Sequence, residues 1–221
     1  MNLSLVLSLL CQVNLNPFYK NDHWVEVCFR PDNFQSPGWK NTIFSQHGEG
    51  TGWEIRCAVL ARSNYLFWKE EYKKSGIFVE VVYTTTNGYN NVINSHVSLE
   101  LARWYHVVLA YCHETSTISL YVNGTVTRQK IHGDFVPAPK SMPRLGENIY
   151  WTNRRFQGWV AFAGGGYELP VPGKDTPALD DHVQKLAKAR LAKLPKQPAQ
   201  HKSDVTKTAE GTTAIRERRE Q

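Results

Sequence analysis

The feature that most constrains the fold of this chain is a pair of β-type segments followed by an Asn-Gly turn. The first segment is Trp104–Tyr111, and the second is Ile118–Asn123, in which apolar and polar residues alternate. This alternation predicts a half-buried antiparallel strand. Because Asn123-Gly124 tolerates positive φ at both turn positions, we expect Thr125–Thr127 to fold back as the next strand. The segments together predict two consecutive antiparallel hairpins.

The residues before position 174 have the pattern of an all-β domain. Short β-type segments recur at roughly regular spacing between turn-forming residues, which is typical of a sandwich or barrel rather than of alternating strands and helices. They include Ile77–Thr84, Trp104–Tyr111, Ile118–Asn123 and Trp159–Ala163. With 41% apolar residues and seven tryptophans, the chain can fill a core. We therefore predict one β-sandwich domain over residues 1–173.

The residues from 174 onward predict a helix and then a tail. Thr176-Pro177 is a typical helix start, with Thr as the N-cap and Pro at the first helical position. Apolar residues recur at helical spacing from Leu179 to Leu194, and Pro195 ends the pattern. We predict an amphipathic helix within residues 174–195. The basic tail over residues 196–221 has too few apolar residues to fold alone and is expected to be disordered.

The net charge of +6 is concentrated in this C-terminal part. From Lys174 onward the chain has 11 of its 26 basic and 7 of its 20 acidic residues, so that part carries +4. The sandwich itself is close to neutral, which argues against a nucleic-acid surface on it. The stretch Ala61–Lys74 interleaves basic and aromatic residues as single-strand-binding surfaces do. An insertion whose aromatic residues pack while its lysines stay solvated has the same composition, so nucleic acid is not the expected partner.

The amino terminus has two interpretations. The apolar run Leu3–Leu10 is far shorter than the ~20 residues that a membrane-spanning helix needs, so we predict no transmembrane segment. It is either part of a first buried strand, Leu3–Leu15, or the core of a signal peptide that lacks a preceding basic residue and a good cleavage site. The protein would be secreted if Leu3–Cys11 is a signal peptide, and intracellular otherwise. The four cysteines have no metal-binding spacing, and one disulfide between them is neither required nor excluded.

Several segments, taken in chain order, carry a family resemblance. They are Asp22–Pro31, Thr42–Gln46 with Gly52–Arg56, Trp104–Gly124, Phe156–Val160 and Pro177–Ala187. In order and spacing they resemble the laminin-G-like domains of the concanavalin A-like lectin/glucanase superfamily. The resemblance covers roughly residues 22–190 and implies a jelly-roll β-sandwich of two antiparallel sheets followed by a helix. It also implies binding of a carbohydrate or protein ligand through loops at the rim of the sandwich.

Some members of this family hold a calcium ion at the rim, through acidic side chains and backbone oxygens. In this sequence Asp134, which follows Gly133, is the one weak candidate for such a ligand. No other cofactor is implied, so calcium is the single metal that the resemblance leaves open.

The superfamily includes glycoside hydrolases, which makes the carboxylates the test of an enzyme hypothesis. Their chemistry needs two carboxyl groups, ~5–5.5 Å apart for retention and farther apart for inversion. On one strand this requires acidic residues two or four positions apart, and the resembling glucanases carry Glu-x-Asp-x-x-Glu. Here Glu70 and Glu71 are adjacent, Glu54 has Arg56 as its same-face neighbour, and Glu100 has no acidic residue two positions away. We therefore expect a protein that is not an enzyme.

Sugar recognition calls for exposed aromatic faces for stacking, beside amide and charged groups for hydrogen bonding. Three predicted loops provide both kinds of residue, although each also fits an ordinary polar turn with a core aromatic residue. The candidate ligand-binding residues are Trp39, Tyr89, Asn90, Tyr150, Trp151 and Arg154. The sequence thus favours a non-catalytic binding module with a site on these loops.

Two other functions stay open at the level of sequence. The chain could be a structural or interaction subunit of a larger assembly, docking through its C-terminal helix and basic tail to a macromolecular partner. The helix could instead pack on the domain's own sheet, as the trailing helix of the resembling family does. A glycoside hydrolase relative is the least favoured of the three functions, because the paired-carboxylate motif is missing.

Overall fold

The computed structural model describes residues 22–34, 40–48, 51–60, 76–87, 90–136, 138, 141–148, 154–166 and 176–195. Within these residues the chain forms ten strands and one helix. The strands are β1 His23–Asn33, β2 Lys40–Gly48, β3 Thr51–Leu60, β4 Gly76–Thr84, β5 Asn90–Ser98, β6 Tyr105–Cys112, β7 Thr117–Val122, β8 Thr125–Lys130, β9 Arg144–Leu145 and β10 Gln157–Gly166. The helix is α1 Thr176–Ala192.

The strands form two five-stranded antiparallel sheets. One sheet has the order β10-β1-β6-β7-β8 and is called the β1 sheet; the other has the order β5-β4-β3-β2-β9 and is called the β3 sheet. Both sheets mix strands from distant parts of the chain, as in a jelly roll. The prediction of an all-β jelly-roll sandwich with one C-terminal helix is therefore confirmed.

The core lies between the sheets and is built by alternation along each strand. In β1 the inward residues are Val25, Val27 and Phe29, and β3 contributes Trp53 and Ile55 from the opposite side. These side chains are at most 1% exposed. Because successive side chains of a strand point to opposite faces, the residues between them lie on the outer faces of the sandwich. It is on these two outer faces that the sheets differ.

The Asn-Gly turn that the sequence predicts is present between β7 and β8. Asn123 has φ +51° and Gly124 has φ +83°, which are the two positive angles that a tight two-residue hairpin needs. Val122 pairs with Thr125 directly across the turn. The Asn123 side chain also accepts a hydrogen bond from the backbone N–H of His106 at 2.8 Å, so the turn is tied to β6 as well.

Helix α1 lies on the outer face of the β1 sheet. Its Leu179 and Val183 pack with Val108, Ala110 and Tyr121 of that sheet in a small apolar cluster. The Tyr121 hydroxyl donates a hydrogen bond to Asp180 at 2.8 Å, and Arg128 also contacts the Asp180 carboxylate. The apolar side of the helix is thus buried against the domain's own sheet. The side that remains exposed is polar and carries residues such as Asp181 and Lys185.

Some sequence predictions concern residues outside the described ranges. They are the assignment of Leu3–Leu15 to a strand or a signal peptide, the stretch Ala61–Lys74 and the tail over residues 196–221. Among the described cysteines, Cys28, Cys57 and Cys112 are free thiols. In the described part of the chain, no helix has both the length and the apolar composition needed to span a membrane.

Candidate functional site

The six predicted ligand-binding residues adjoin one sheet. Trp39 directly precedes β2, Tyr89 directly precedes β5, and Tyr150 and Trp151 lie shortly before Arg154 in the chain; these four residues are outside the described ranges. Asn90 is described for its backbone, which pairs with Thr84 at the end of β4. Of the six, Arg154 alone has a described side chain.

Arg154 lies against the outer face of the β3 sheet. Its carbonyl oxygen accepts a hydrogen bond from the backbone N–H of Thr42 on β2 at 2.7 Å. The next residue, Arg155, forms an isolated bridge with Thr42, and its carbonyl accepts a hydrogen bond from the Asn41 amide at 2.9 Å. The guanidinium of Arg154 comes within 3.9 Å of the Glu54 carboxylate, and 18% of its side chain is exposed. The backbone around Arg154 is therefore fixed to the sheet, while its side chain is partly open to solvent.

Beneath Arg154 the β3 sheet carries a buried network of charges. Arg56 on β3 is hydrogen-bonded to Glu54 at 3.2 Å and, through its Nε, to Glu80 on β4 at 2.6 Å. Glu54 also accepts a hydrogen bond from the Thr42 hydroxyl. The side chains of Glu54, Arg56 and Glu80 are 0%, 6% and 5% exposed. We call the set Thr42, Glu54, Arg56, Glu80 and Arg154 the charged face.

The charged face contains a pairing that the sequence did not show. The contact between Glu54 and Arg56 follows from their spacing on one strand. The second partner, Glu80, is opposite Arg56 on the neighbouring strand, and finding it requires the register of β3 against β4. A weaker signal was available: Glu54, Arg56 and Glu80 each stand between two apolar residues in a strand-like segment, as outward-facing residues do.

Burial is the main influence on the pKa of the two basic side chains beside the charged network. Burial lowers the pKa of Arg154, and the nearby Arg56 lowers it further, whereas Glu54 acts in the opposite direction. His47 on β2 behaves in the same way: burial lowers its pKa, and Arg56 and Arg154 add to the effect. Burial disfavours the charged form of a basic group, and a nearby anion stabilises that charged form. The accessible side of Arg154 can therefore donate a charge-assisted hydrogen bond to a negatively charged ligand group.

Asn94 on β5 adds an unsatisfied amide to the same sheet. It pairs across the strands with Glu80 and is 2% exposed. Neither its amide nitrogen nor its amide oxygen has a hydrogen-bond partner in the described part of the chain. A buried amide in this condition is expected to bind water or a polar group of a ligand.

The weak calcium candidate lies elsewhere. Asp134 is exposed and sits in a loop where its backbone exchanges hydrogen bonds with Thr86. Among the described residues, one group of three His, Cys, Asp or Glu side chains is close enough to hold a metal ion, and it consists of Glu26, Cys28 and His106. Asp134 is not part of it, so calcium at Asp134 stays a prediction.

A second surface feature was not predicted from the sequence. A cavity of about 590 Å³ lies where the end of α1 meets the rim of the sandwich. Its walls include Arg103, Trp104, Asn123, Leu191 and Leu194. This volume is in the range of small-molecule sites. None of the six predicted residues lines this cavity. It is formed partly by the end of α1, and the position of the helix end against the sandwich was not predicted from the sequence.

Comparisons with known proteins bear on the whole domain. The model of the concanavalin A-like lectin/glucanases superfamily matches residues 12–163. Among solved structures, a putative carbohydrate-binding protein from Bacteroides ovatus is similar with TM-score 0.52 and 18% identity, over 76% of this chain and 41% of that one. A search of curated proteins gives no significant match.

Two further structures have bound partners in their descriptions. The CBM40 domain of the Ruminococcus gnavus IT-sialidase, bound to α2,6-sialyllactose, has TM-score 0.52 and 11% identity, over 77% of this chain and 90% of that one. The binding domain of botulinum neurotoxin DC, in complex with SialylT, has TM-score 0.51 and 15% identity, over 81% of this chain and 38% of that one. At these identities the likeness shows the fold. This chain spans less than half the length of the Bacteroides protein and of the toxin domain.

Proposed function

The chain belongs to the concanavalin A-like lectin/glucanase superfamily, and we propose that it is a non-catalytic module that binds an acidic glycan on the charged face. The observation that carries the proposal is the position of Arg154, which is partly exposed above the Glu54–Arg56–Glu80 network. A carboxylate on the ligand would accept a charge-assisted hydrogen bond from this guanidinium.

The network beneath Arg154 supports a role in binding rather than in folding. Burying ion pairs costs desolvation energy, and their replacement by well-packed apolar residues is often neutral or stabilising. A sheet that only had to be covered could therefore carry apolar residues at positions 54, 56 and 80. Arg56 and Glu54 instead hold their charges in fixed positions, which provides a rigid base for Arg154. Binding sites gain affinity from such preorganisation.

The chemical class of the ligand follows from the charge of the site. The guanidinium of Arg154 pairs with an anionic group, and sugars that carry a carboxylate supply one. Two proteins of the same fold support this class, since their descriptions name sialylated ligands. We propose that Trp39, Tyr150 and Trp151 provide the stacking surface beside Arg154, because Trp39 directly precedes β2, to which the backbone of Arg154 is hydrogen-bonded, and Tyr150 and Trp151 lie shortly before Arg154 in the chain. Tyr89 precedes β5 at the other end of the β3 sheet, where Asn90 pairs with Thr84, so we propose that it contacts a different part of the ligand. Asn90 begins a strand of that sheet.

The same contacts support a non-catalytic function. A glycoside hydrolase needs one carboxyl group that can give a proton to the leaving sugar and a second one that acts as base or nucleophile. In the charged face, Glu54 and Glu80 are both engaged by Arg56 at hydrogen-bonding distance. Carboxylates held in this way serve as anchors for a guanidinium.

The alternative function, an interaction subunit that docks through its helix, is less supported. The apolar residues of α1, Leu179 and Val183, are buried against the domain's own sheet. A partner would meet the polar side of the helix or the basic tail. The polar side of the helix and the tail remain the better candidates for a macromolecular partner, because residues 174–221 together carry +4 of the net charge of +6.

Isothermal titration with 6′-sialyllactose and with lactose tests the proposal. The wild-type protein is expected to bind the sialylated sugar and to bind lactose at least tenfold more weakly. Arg154→Ala should lose about 10- to 100-fold in affinity, because a charged hydrogen bond is worth ~1.5–3 kcal/mol. The matched control is Arg155→Ala, which removes an exposed guanidinium from the next position and should bind like wild type.

Thermal melting of both variants, followed by circular dichroism, shows whether they are folded. Equal affinity of the Arg154 and Arg155 variants would contradict the proposed site. Failure of the wild-type protein to bind any acidic glycan at millimolar concentration would contradict the ligand class.

A further inference from the structure

The outer face of the β1 sheet contains a compact set of metal-ligating side chains. Glu26 and Cys28 are two residues apart on β1 and therefore lie on one face. His106 on β6 is the direct cross-strand partner of Cys28. One ligand atom from each residue lies within 4.8 Å of the other two, and the three residues are 0%, 1% and 0% exposed.

We propose that Glu26, Cys28 and His106 form a binding site for a divalent transition metal of the zinc class. A carboxylate oxygen, a thiolate sulfur and an imidazole nitrogen are the three ligand types that proteins use for zinc. The Nε2 of His106 and the Oε1 of Glu26 are 2.9 Å apart, so a small widening admits an ion between them. Three protein ligands leave the fourth tetrahedral position for water or another donor.

The outer face of the β1 sheet has an apolar part, on which the helix packs, and a separate part that contains Glu26, Cys28 and His106. Where Leu179 and Val183 of α1 pack, the sheet presents Val108, Ala110 and Tyr121. Where Glu26, Cys28 and His106 lie, the same sheet buries polar groups. The Nδ1 of His106 is buried, and no described residue is its hydrogen-bond partner. Of the two imidazole nitrogens of His106, one therefore takes part in the described hydrogen bonds and the other does not.

Arg190 of the helix is the cation that a metal ion would displace from Glu26. Its Nε contacts Glu26 Oε1 at 2.8 Å and its Nη2 is 3.4 Å from Oε2, while its guanidinium lies 4.0 Å from the centre of the Phe162 ring. The Arg190 side chain is 34% exposed, so it can turn to solvent, and the bound metal would then compensate the buried charge of Glu26 in its place.

The charge balance shows how metal and arginine compete. Without a metal, the charge of Arg190 compensates that of Glu26. When M²⁺ binds, a metal–sulfur bond replaces the S–H bond of Cys28 and the proton passes to solvent. The ion is then neutralised by one thiolate and one carboxylate, with His106 as a neutral ligand. The positive charge of Arg190 is now in excess, so metal binding and the Arg190–Glu26 ion pair oppose each other.

Titration of the full-length protein with Zn²⁺ and Co²⁺ tests the site. We expect one ion per chain by calorimetry, and with Co²⁺ a sulfur-to-metal charge-transfer band that reports a thiolate ligand. Cys28→Ser and His106→Gln should weaken binding at least about tenfold, and Cys28→Ser should abolish the band. Cys112→Ser is the matched control, since it removes a thiol outside the trio and should leave both readouts unchanged.

Arg190→Ala gives a test that does not depend on removing a ligand. Because this variant loses the competing cation, it should bind Zn²⁺ several-fold more tightly than wild type. Samples refolded in the presence of the metal allow for slow entry into a buried site. Absence of stoichiometric binding in both wild type and Arg190→Ala would overturn the proposal. So would a charge-transfer band that persists in Cys28→Ser.

Discussion

Where α1 packs on one sheet and where Arg154 lies on the other, the outer faces of the sandwich bury side chains of different chemistry. On the β1 sheet, α1 covers an apolar cluster that includes Val108 and Tyr121. On the β3 sheet, the buried groups at Glu54, Arg56 and Glu80 are charged. Burial of the first kind is favourable in itself, at about 25 cal/mol per Å² of apolar surface. Burial of the second kind begins with a desolvation cost that the ion pairs offset. The burial of apolar surface therefore accounts for the packing of α1 on the β1 sheet. It does not account for the buried charges of the β3 sheet.

Among the substitutions that test this difference between the sheets, Arg56→Ala is expected to have the largest effect on stability. Arg56→Ala leaves Glu54 and Glu80 buried and without their shared partner, so we expect a loss of ~3–5 kcal/mol in the free energy of unfolding. Urea denaturation followed by tryptophan fluorescence measures it. The single variant alone does not distinguish a stabilising network from a costly one, because both lose stability when half of a pair is removed.

A combined variant separates these two interpretations. Glu54→Leu, Arg56→Met and Glu80→Leu together replace the whole network with apolar groups. If the charges serve binding, this triple variant should be at least as stable as wild type and should have lost the glycan. A triple variant as unstable as Arg56→Ala would mean that the charges hold the sheet together, and the contrast between the two faces would fail.

On the β1 sheet, the expected effect of a comparable change is smaller. Val183 is fully buried between α1 and the sheet. Val183→Ala should cost about 2 kcal/mol, from the lost transfer energy of two methyl groups and the resulting cavity. Lys188→Ala, an exposed position on the same helix, should stay within about 0.5 kcal/mol of wild type. Equal effects of the two substitutions in urea denaturation would show that the helix is not docked through Val183.

The parts of the fold that the sequence predicts are those that depend on neighbouring residues. The Asn123-Gly124 turn needs two positive φ angles, and the sequence supplies the two residues that accept them. The start of α1 at Thr176-Pro177 is likewise a local signal. Alternation within Ile118–Asn123 predicts which residues face the core, and Ile118, Leu120 and Val122 are all buried there.

The parts that it does not predict depend on register between distant strands. Arg56 meets Glu80 because β3 and β4 pair in one particular register, and the long stretch between them gives no turn geometry that would set it. Glu26 meets His106 and Arg190 over 80 and 164 residues of sequence separation. A candidate site chosen from loop composition could therefore include Arg154 but not the charges beneath it. The calcium candidate Asp134 shows the same limit, since one residue does not reveal its neighbours.

The N-terminal end of α1 offers a third and smaller test. Tyr121→Phe removes the hydroxyl that donates to Asp180, while Arg128 still contacts that carboxylate. We expect a loss of ~1 kcal/mol, with faster amide hydrogen exchange in α1. Tyr105→Phe is the matched control, because its hydroxyl binds the backbone N–H of Glu100 away from the helix. If both variants changed the exchange of α1 equally, the Tyr121–Asp180 contact would not be what fastens the helix.

The smallest expected effect concerns pH and reports on the β3 sheet. Burial, with Arg56 and Arg154, lowers the pKa of His47 below its ordinary value of 6.5, although Glu54 opposes the shift. The unfolded chain therefore binds a proton at His47 more readily than the folded one, so stability falls as the pH drops below about 6.5 and levels off below the folded pKa. His47→Gln should flatten this part of the stability curve, measured by urea denaturation at several pH values. His96→Gln, at an exposed position on β5, controls for the loss of a histidine as such. A curve that His47→Gln does not alter would show that the histidine is not held in the electrostatic environment of the charged face.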